Sequence, residues 1–211
     1  MAAGLGETVR LRMLYRAFVR GAQLFNASAF AVSSAEASAM DPQQRLLLES
    51  GYETLSSGGF SRSDQQGSDT GVFLGITNAD YAVQLSASAS VYAATGAAIS
   101  IAAGRLSFAL GLQGPCESID TACSSALAAL HGAAVCIGAS DCAAALTTAV
   151  TLMLAPHVSV SYARAGMLSA DGRCKTFDAS ANGYVRSEGV GGLVVVRSQQ
   201  LKARASAVVA L

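Results

Sequence analysis

Charge is scarce in this sequence. Only 13% of its 211 residues are Asp, Glu, Lys or Arg, against about a quarter in an ordinary soluble domain, and 52% are apolar. A surface so short of charge is expected to be covered, by a partner or by further chain. Fourteen basic residues balance fourteen acidic ones, so no net field exists to gather nucleic acid or an anionic membrane. The five cysteines (Cys116, Cys123, Cys136, Cys142, Cys174) form no Cys-x-x-Cys pair and no Cys/His cluster, which excludes the usual zinc spacings. No cofactor is expected. Their odd number and the lack of a signal-peptide pattern point to a reducing compartment rather than a secreted disulfide framework. A cytoplasmic location follows. An organelle such as a plastid stays as an alternative, because Arg10, Arg12, Arg16 and Arg20 face only Glu7 in the first turns of the chain. No apolar run reaches ~18 residues without a charge or a glycine, so no membrane span is expected.

Several elements can be read locally. Asp41 can cap a helix, Pro42 suits its first position, and Gln44 sits where a capping box wants Glu or Gln. Leu48, Tyr52 and Leu55 then share a face, and Gly58-Gly59 ends the helix. The run 71–76 reads as a buried strand, 93–103 as an Ala-rich helix interrupted by Gly96, and 114–119 as a turn and a short strand. From Cys123 a helix is expected, with Leu127, Leu130, Ala134 and Ile137 at helical spacing and Gly138 as its stop. Residues 142–150 and 192–197 read as strands, 169–188 as a long polar loop, and 208–211 as a further strand beginning. Apolar strands alternating with helices predict an α/β fold, layered helices around a mixed and mostly buried sheet.

The chemistry centres on Ile119-Asp120-Thr121-Ala122-Cys123-Ser124-Ser125. A strand enters a tight turn, and the cysteine stands at the start of the next helix. Free backbone N–H groups and the positive helix end favour negative charge on sulfur there, and they can hold the oxyanion formed when sulfur attacks a thioester. Such a unit suits covalent acyl transfer. The competing reading of Cys123 is a small buried filler, the usual fate of a free cysteine.

Asp120-Thr121-Ala122-Cys123-Ser124-Ser125 resembles the active-site signature of β-ketoacyl synthases of the polyketide-synthase type. Three further stretches resemble that family in its order: Met40-Asp41-Pro42-Gln43-Gln44-Arg45-Leu46-Leu47-Leu48-Glu49; Ser100 to Phe108 followed by Gly111-Leu112-Gln113-Gly114-Pro115; and Gly166-Met167-Leu168-Ser169, running into Asp171 to Asp178 and Gly183 to Gly189. Four ordered motifs are far more specific than one short pattern. The resemblance implies a thiolase-like fold, of which this chain is the N-terminal, Cys-containing half over residues 13–211, with residues 1–12 unassigned and the chain truncated at both ends. It implies an acyltransferase of polyketide or fatty-acid biosynthesis in which Cys123 takes an acyl chain before a decarboxylative Claisen condensation. It also implies an acyl carrier protein as partner, bearing phosphopantetheine-bound acyl and malonyl groups, and a homodimer when full length.

The family's decarboxylation uses two histidines and a lysine from its other half, and neither histidine-bearing stretch of that half occurs here. His131 stands eight residues after Cys123, about 12 Å along a helix, too far to serve as a direct base; it reads as structural, and His157 as a loop histidine. Full condensation by these residues alone is therefore not expected. The alternative is a non-catalytic remnant that binds acyl chains or pairs with a full-length synthase. Glu188 and Asp178 read as loop-ordering carboxylates, and Arg105 as a packing or dimer-contact residue.

Overall fold

The computed structural model describes residues 5–77, 79–85, 91–197 and 209–210. In chain order the elements are α1 (Glu7–Leu11), α2 (Ser34–Ala39), α3 (Pro42–Ser57), α4 (Arg62–Gln65), β1 (Gly71–Ile76), α5 (Asp80–Leu85), α6 (Ala93–Ala97), α7 (Ala102–Leu110), β2 (Cys116–Ile119), α8 (Ser125–Ala139), β3 (Ala144–Thr151), α9 (Pro156–Arg164), β4 (Gly189–Val196) and β5 (Val209–Ala210). Two compact units result, one of Met1–Arg20 with Leu152–Gly189 and one of Gly21–Thr151 with Val190–Leu211.

The larger unit is built on a five-stranded sheet in the order β2-β1-β3-β4-β5. The pairings of β1 with β2, β1 with β3 and β4 with β5 are parallel. Side chains alternate across a strand, so each face collects its own set. Val72, Leu74, Ile76, Leu146, Val150, Val194 and Val196 pack with Leu47, Leu48 and Leu55 of α3 and Leu106 and Leu110 of α7. Phe73, Ala145 and Val195 face the other way, onto Ala129, Ala133, Cys136 and Ile137 of α8. Every residue of β1 is buried, as a strand covered on both faces requires. Each fully buried leucine in this core contributes roughly 1.5–3 kcal/mol.

Helix α3 begins as its sequence dictates: Asp41 accepts the Gln43 N–H at 2.8 Å, and Pro42 takes the first turn. Gln44 does not complete a capping box. Its amide donates to the carbonyl oxygens of Thr95 and Ala98, and its carbonyl oxygen accepts from Arg105. That clamp also explains why 93–103 is not one helix. The backbone turns extended at Ala98 (ψ 117°), separating α6 from a short 3-10 turn at Ile99–Ile101 and from α7. Gly96 lies so close to α2 that a Cβ there would stand 2.0 Å from the Ala39 carbonyl oxygen.

Helix α8 also departs from expectation. Its inner face is Ser125, Ala129, Ala133, Cys136 and Ile137, whereas Leu127 is 71% exposed. It runs past Gly138 and ends at Ser140, which takes the left-handed conformation (φ 69°). Residues 122–139 have the length and apolarity of a membrane span. In this fold they are a turn and a helix packed on β1 and β3. The expected strand at 192–197 begins earlier, at Gly189. Of the expected strand 208–211, Val209–Ala210 is β5, while Val208 and Leu211 lie outside the described residues.

The smaller unit is organised by hydrogen bonds. Glu188 accepts from the Val19 N–H at 2.9 Å and the Met153 N–H at 2.8 Å. Asp178 accepts from the N–H and hydroxyl of Ser180, which hold its carboxyl below the usual range. The Lys175 ammonium, 2.6 Å from Asp171, and the Ser169 hydroxyl hold the Asp171 carboxyl lower still. Both loop carboxylates singled out from sequence thus order the loop. His157 is not a loop residue: it lies in the first turn of α9, after Pro156.

Candidate active site

The site is built where β2 hands over to α8. β2 lies at an edge of the sheet, in register with β1 through the pair Gly75 and Ile119. Beyond Ile119, Asp120 folds back, its Oδ1 accepting the Ala122 N–H at 3.0 Å. Ala122 then adopts φ +56°, a left-handed conformation that residues bearing a Cβ rarely take. A single 3-10 turn, Ala122–Ser124, carries Cys123, and α8 starts at Ser125. Cys123 therefore stands two residues ahead of the α-helix proper rather than at its first position.

Two serines brace this turn. Ser124 Oγ donates to the Thr121 carbonyl oxygen at 2.8 Å. Ser125, only 4% exposed, accepts the Thr121 N–H at 2.9 Å and donates to the Ala122 carbonyl oxygen at 2.7 Å. Gly75 makes room for them: a Cβ there would stand 2.7 Å from the Ser125 carbonyl carbon and 2.8 Å from the Ala126 nitrogen. Sequence reasoning passed over Ala122, Ser125 and Gly75. The only local signals were a serine within the cysteine motif and a glycine inside an otherwise apolar strand.

Cys123 itself is exposed, so the buried-filler reading does not describe it. It does describe Cys136 and Cys142, both buried, with sulfurs 2.6 Å apart. Burial, and then the neighbouring Cys136 thiol, push the Cys142 thiol up to about 12. Cys116 and Cys174 are exposed. Arg105 pairs with Glu36 and Gln44, a packing role. His131 is exposed on α8. Among the described residues no three His, Cys, Asp or Glu side chains come together as a metal site. What the turn presents is an open thiol at the amino end of a 15-residue helix, the arrangement from which sulfur can attack an acyl carbonyl.

The family model for the β-ketoacyl synthase N-terminal domain matches residues 7–200. This chain belongs to that family. The match begins within the segment left unassigned from the sequence. Among curated relatives, the spectinabilin polyketide synthase system protein NorA' of Streptomyces orinoci is 44% identical over 92% of this chain and 5% of its own length. The polyketide synthase GfsB of Streptomyces halstedii is 45% identical over 86% of this chain and 3% of its own. This chain thus spans a small fraction of the curated relatives it matches. Among solved structures, the ketosynthase from module 6 of the bacillaene synthase from Bacillus subtilis 168 superposes with a TM-score of 0.82 at 37% identity, over 89% of this chain and 32% of that one. The oxazolomycin ketosynthase domain from Streptomyces albus gives 0.81 at 32%, over 88% and 33%. The fold is accordingly the thiolase-like fold of the ketosynthases, in its N-terminal part.

Proposed function

We propose that this chain provides the acyl-accepting half of a carrier-protein-dependent β-ketoacyl synthase, with Cys123 as the nucleophile. The observation that carries the reading is the open Cys123 thiol on a braced strand–turn–helix unit, in a chain of the ketosynthase family. In the first step the Cys123 sulfur attacks the carbonyl of an acyl thioester. The tetrahedral intermediate collapses with loss of the carrier thiolate, leaving the acyl group on Cys123. Backbone N–H groups at the turn and the amino end of α8 favour the negative charge that develops on the carbonyl oxygen. In the second step a malonyl-type extender loses carbon dioxide, and its carbanion displaces Cys123 from the acyl group.

The two steps need different residues. The second needs histidines in a setting that neither His131 nor His157 has, so the 211 residues by themselves are proposed to stop at the acyl-thioester stage. Polyketide assembly is the favoured pathway, because the relatives carry that name. The carrier protein as partner, and the pairing of two copies of the full-length enzyme, belong to the same reading and rest on family likeness.

The test is intact-protein mass spectrometry after incubation with a short-chain acyl thioester, beside Cys123→Ala. One acyl adduct per chain is expected, absent from the variant. No adduct on a folded sample, or an adduct that survives Cys123→Ala, defeats the reading.

A further inference from the structure

We propose that Ser125 is the positioning residue of this site: its buried hydroxyl fixes the backbone that presents Cys123. The inference rests on the reading of Cys123 as the acyl acceptor.

Ala122 in the left-handed region is held only if its surroundings over-determine it. The hydrogen bonds from Asp120 and Ser124 to this turn are exposed, where water competes for the same groups. Ser125 is different. Its Oγ is buried and takes both sides of the strained residue, the Thr121 N–H before it and the Ala122 carbonyl oxygen after it. The Ser125 N–H goes to that same carbonyl, so the 122–123 peptide group is held twice from one side. A trans peptide points its N–H opposite to its C=O. Fixing the Ala122 carbonyl toward Ser125 therefore fixes the Cys123 N–H away from it, together with the Cα from which the thiol extends.

An ordinary helix-capping role does not account for this hydroxyl. Ser124, not Ser125, occupies the cap position of α8 and makes no side-chain cap bond, and the Ser125 hydroxyl reaches backward into the turn rather than forward to the helix. Ser125 is in turn located by the sheet, since its carbonyl sits against the face of β1 that Gly75 leaves open. The path of constraint runs from β1 through one side chain to the nucleophile.

The test follows acyl transfer from a short-chain N-acetylcysteamine thioester to the full chain, in wild type, Ser125→Ala and Ser125→Thr. In Ser125→Ala the limiting acylation rate is expected to fall about tenfold or more while the half-saturating thioester concentration stays within about twofold. Ser125→Thr, which keeps the hydroxyl, is expected to recover most of the loss. A parallel measurement, peptide-resolved alkylation by iodoacetamide, is expected to change at Cys123 and not at Cys116 or Cys174 in Ser125→Ala. An unchanged acylation rate in Ser125→Ala overturns the proposal. So does a gain of alkylation at buried Cys136 and Cys142, which means general loosening. If wild type accepts no acyl group, the nucleophile reading falls on its own. A Cys123-specific change in alkylation then still supports Ser125, and an unchanged rate still overturns it.

Discussion

Two thiols of this chain touch each other in the core while a third stands open at a turn, and their settings separate their chemistry. Alkylation of the folded chain at pH 8 should label Cys116, Cys123 and Cys174 and spare Cys136 and Cys142 until denaturant is added. Rapid labelling of Cys142 in the native chain would contradict its placement. Its titration also has a sign. The folded state holds the Cys142 proton up to about 12, against 9.0 for an unperturbed thiol, so the unfolded chain releases it first. That contribution to stability is complete below pH 9 and drains away as the pH climbs toward 12. Thermal melts across that window should show a decline that Cys142→Ala reduces. At this scale the nucleophile candidate was legible because the motif around it is local. Ser125 and Gly75 were not, because their roles exist only once β1 and α8, fifty residues apart in the chain, have met.

Where the signals were written into neighbouring residues, elements could be placed from sequence; where they depended on distant partners, they could not. Asp41 and Pro42 start α3 by chemistry within its first turn, and the apolar run 71–76 became β1 without adjustment. The break at Ala98 was invisible because it is imposed by the amide of Gln44, more than fifty residues earlier. The face of α8 was illegible for another reason. A helix apolar on all sides offers little contrast, and the alanines pack inward because small residues let it approach the sheet, leaving Leu127 outside. The Gln44 clamp supplies a prediction. Gln44→Ala strands two carbonyls and one side of Arg105, so it should cost about 1–3 kcal/mol in urea unfolding. A change of only a few tenths would mean that water replaces the amide without loss.

For the molecule as a whole, large apolar side chains remain in contact with water: Phe108 is 90% exposed, Leu127 71% and Val135 55%. Sedimentation at rising concentration should show association, and Leu127→Lys with Val135→Lys should reduce it. A monodisperse wild-type monomer throughout would refute this. The strand order has a consequence of another kind, for the moment of synthesis. β1 is made early and is flanked on both sides in the sheet, yet its partners β2 and β3 begin at Cys116 and Ala144. A ribosome must therefore add some forty residues while a wholly apolar strand waits with both edges unpaired, and nearly thirty more before its second partner begins. The nascent chain is most in need of chaperone cover over that interval, and a chain stalled before Thr151 should be far more open to protease than one released beyond it.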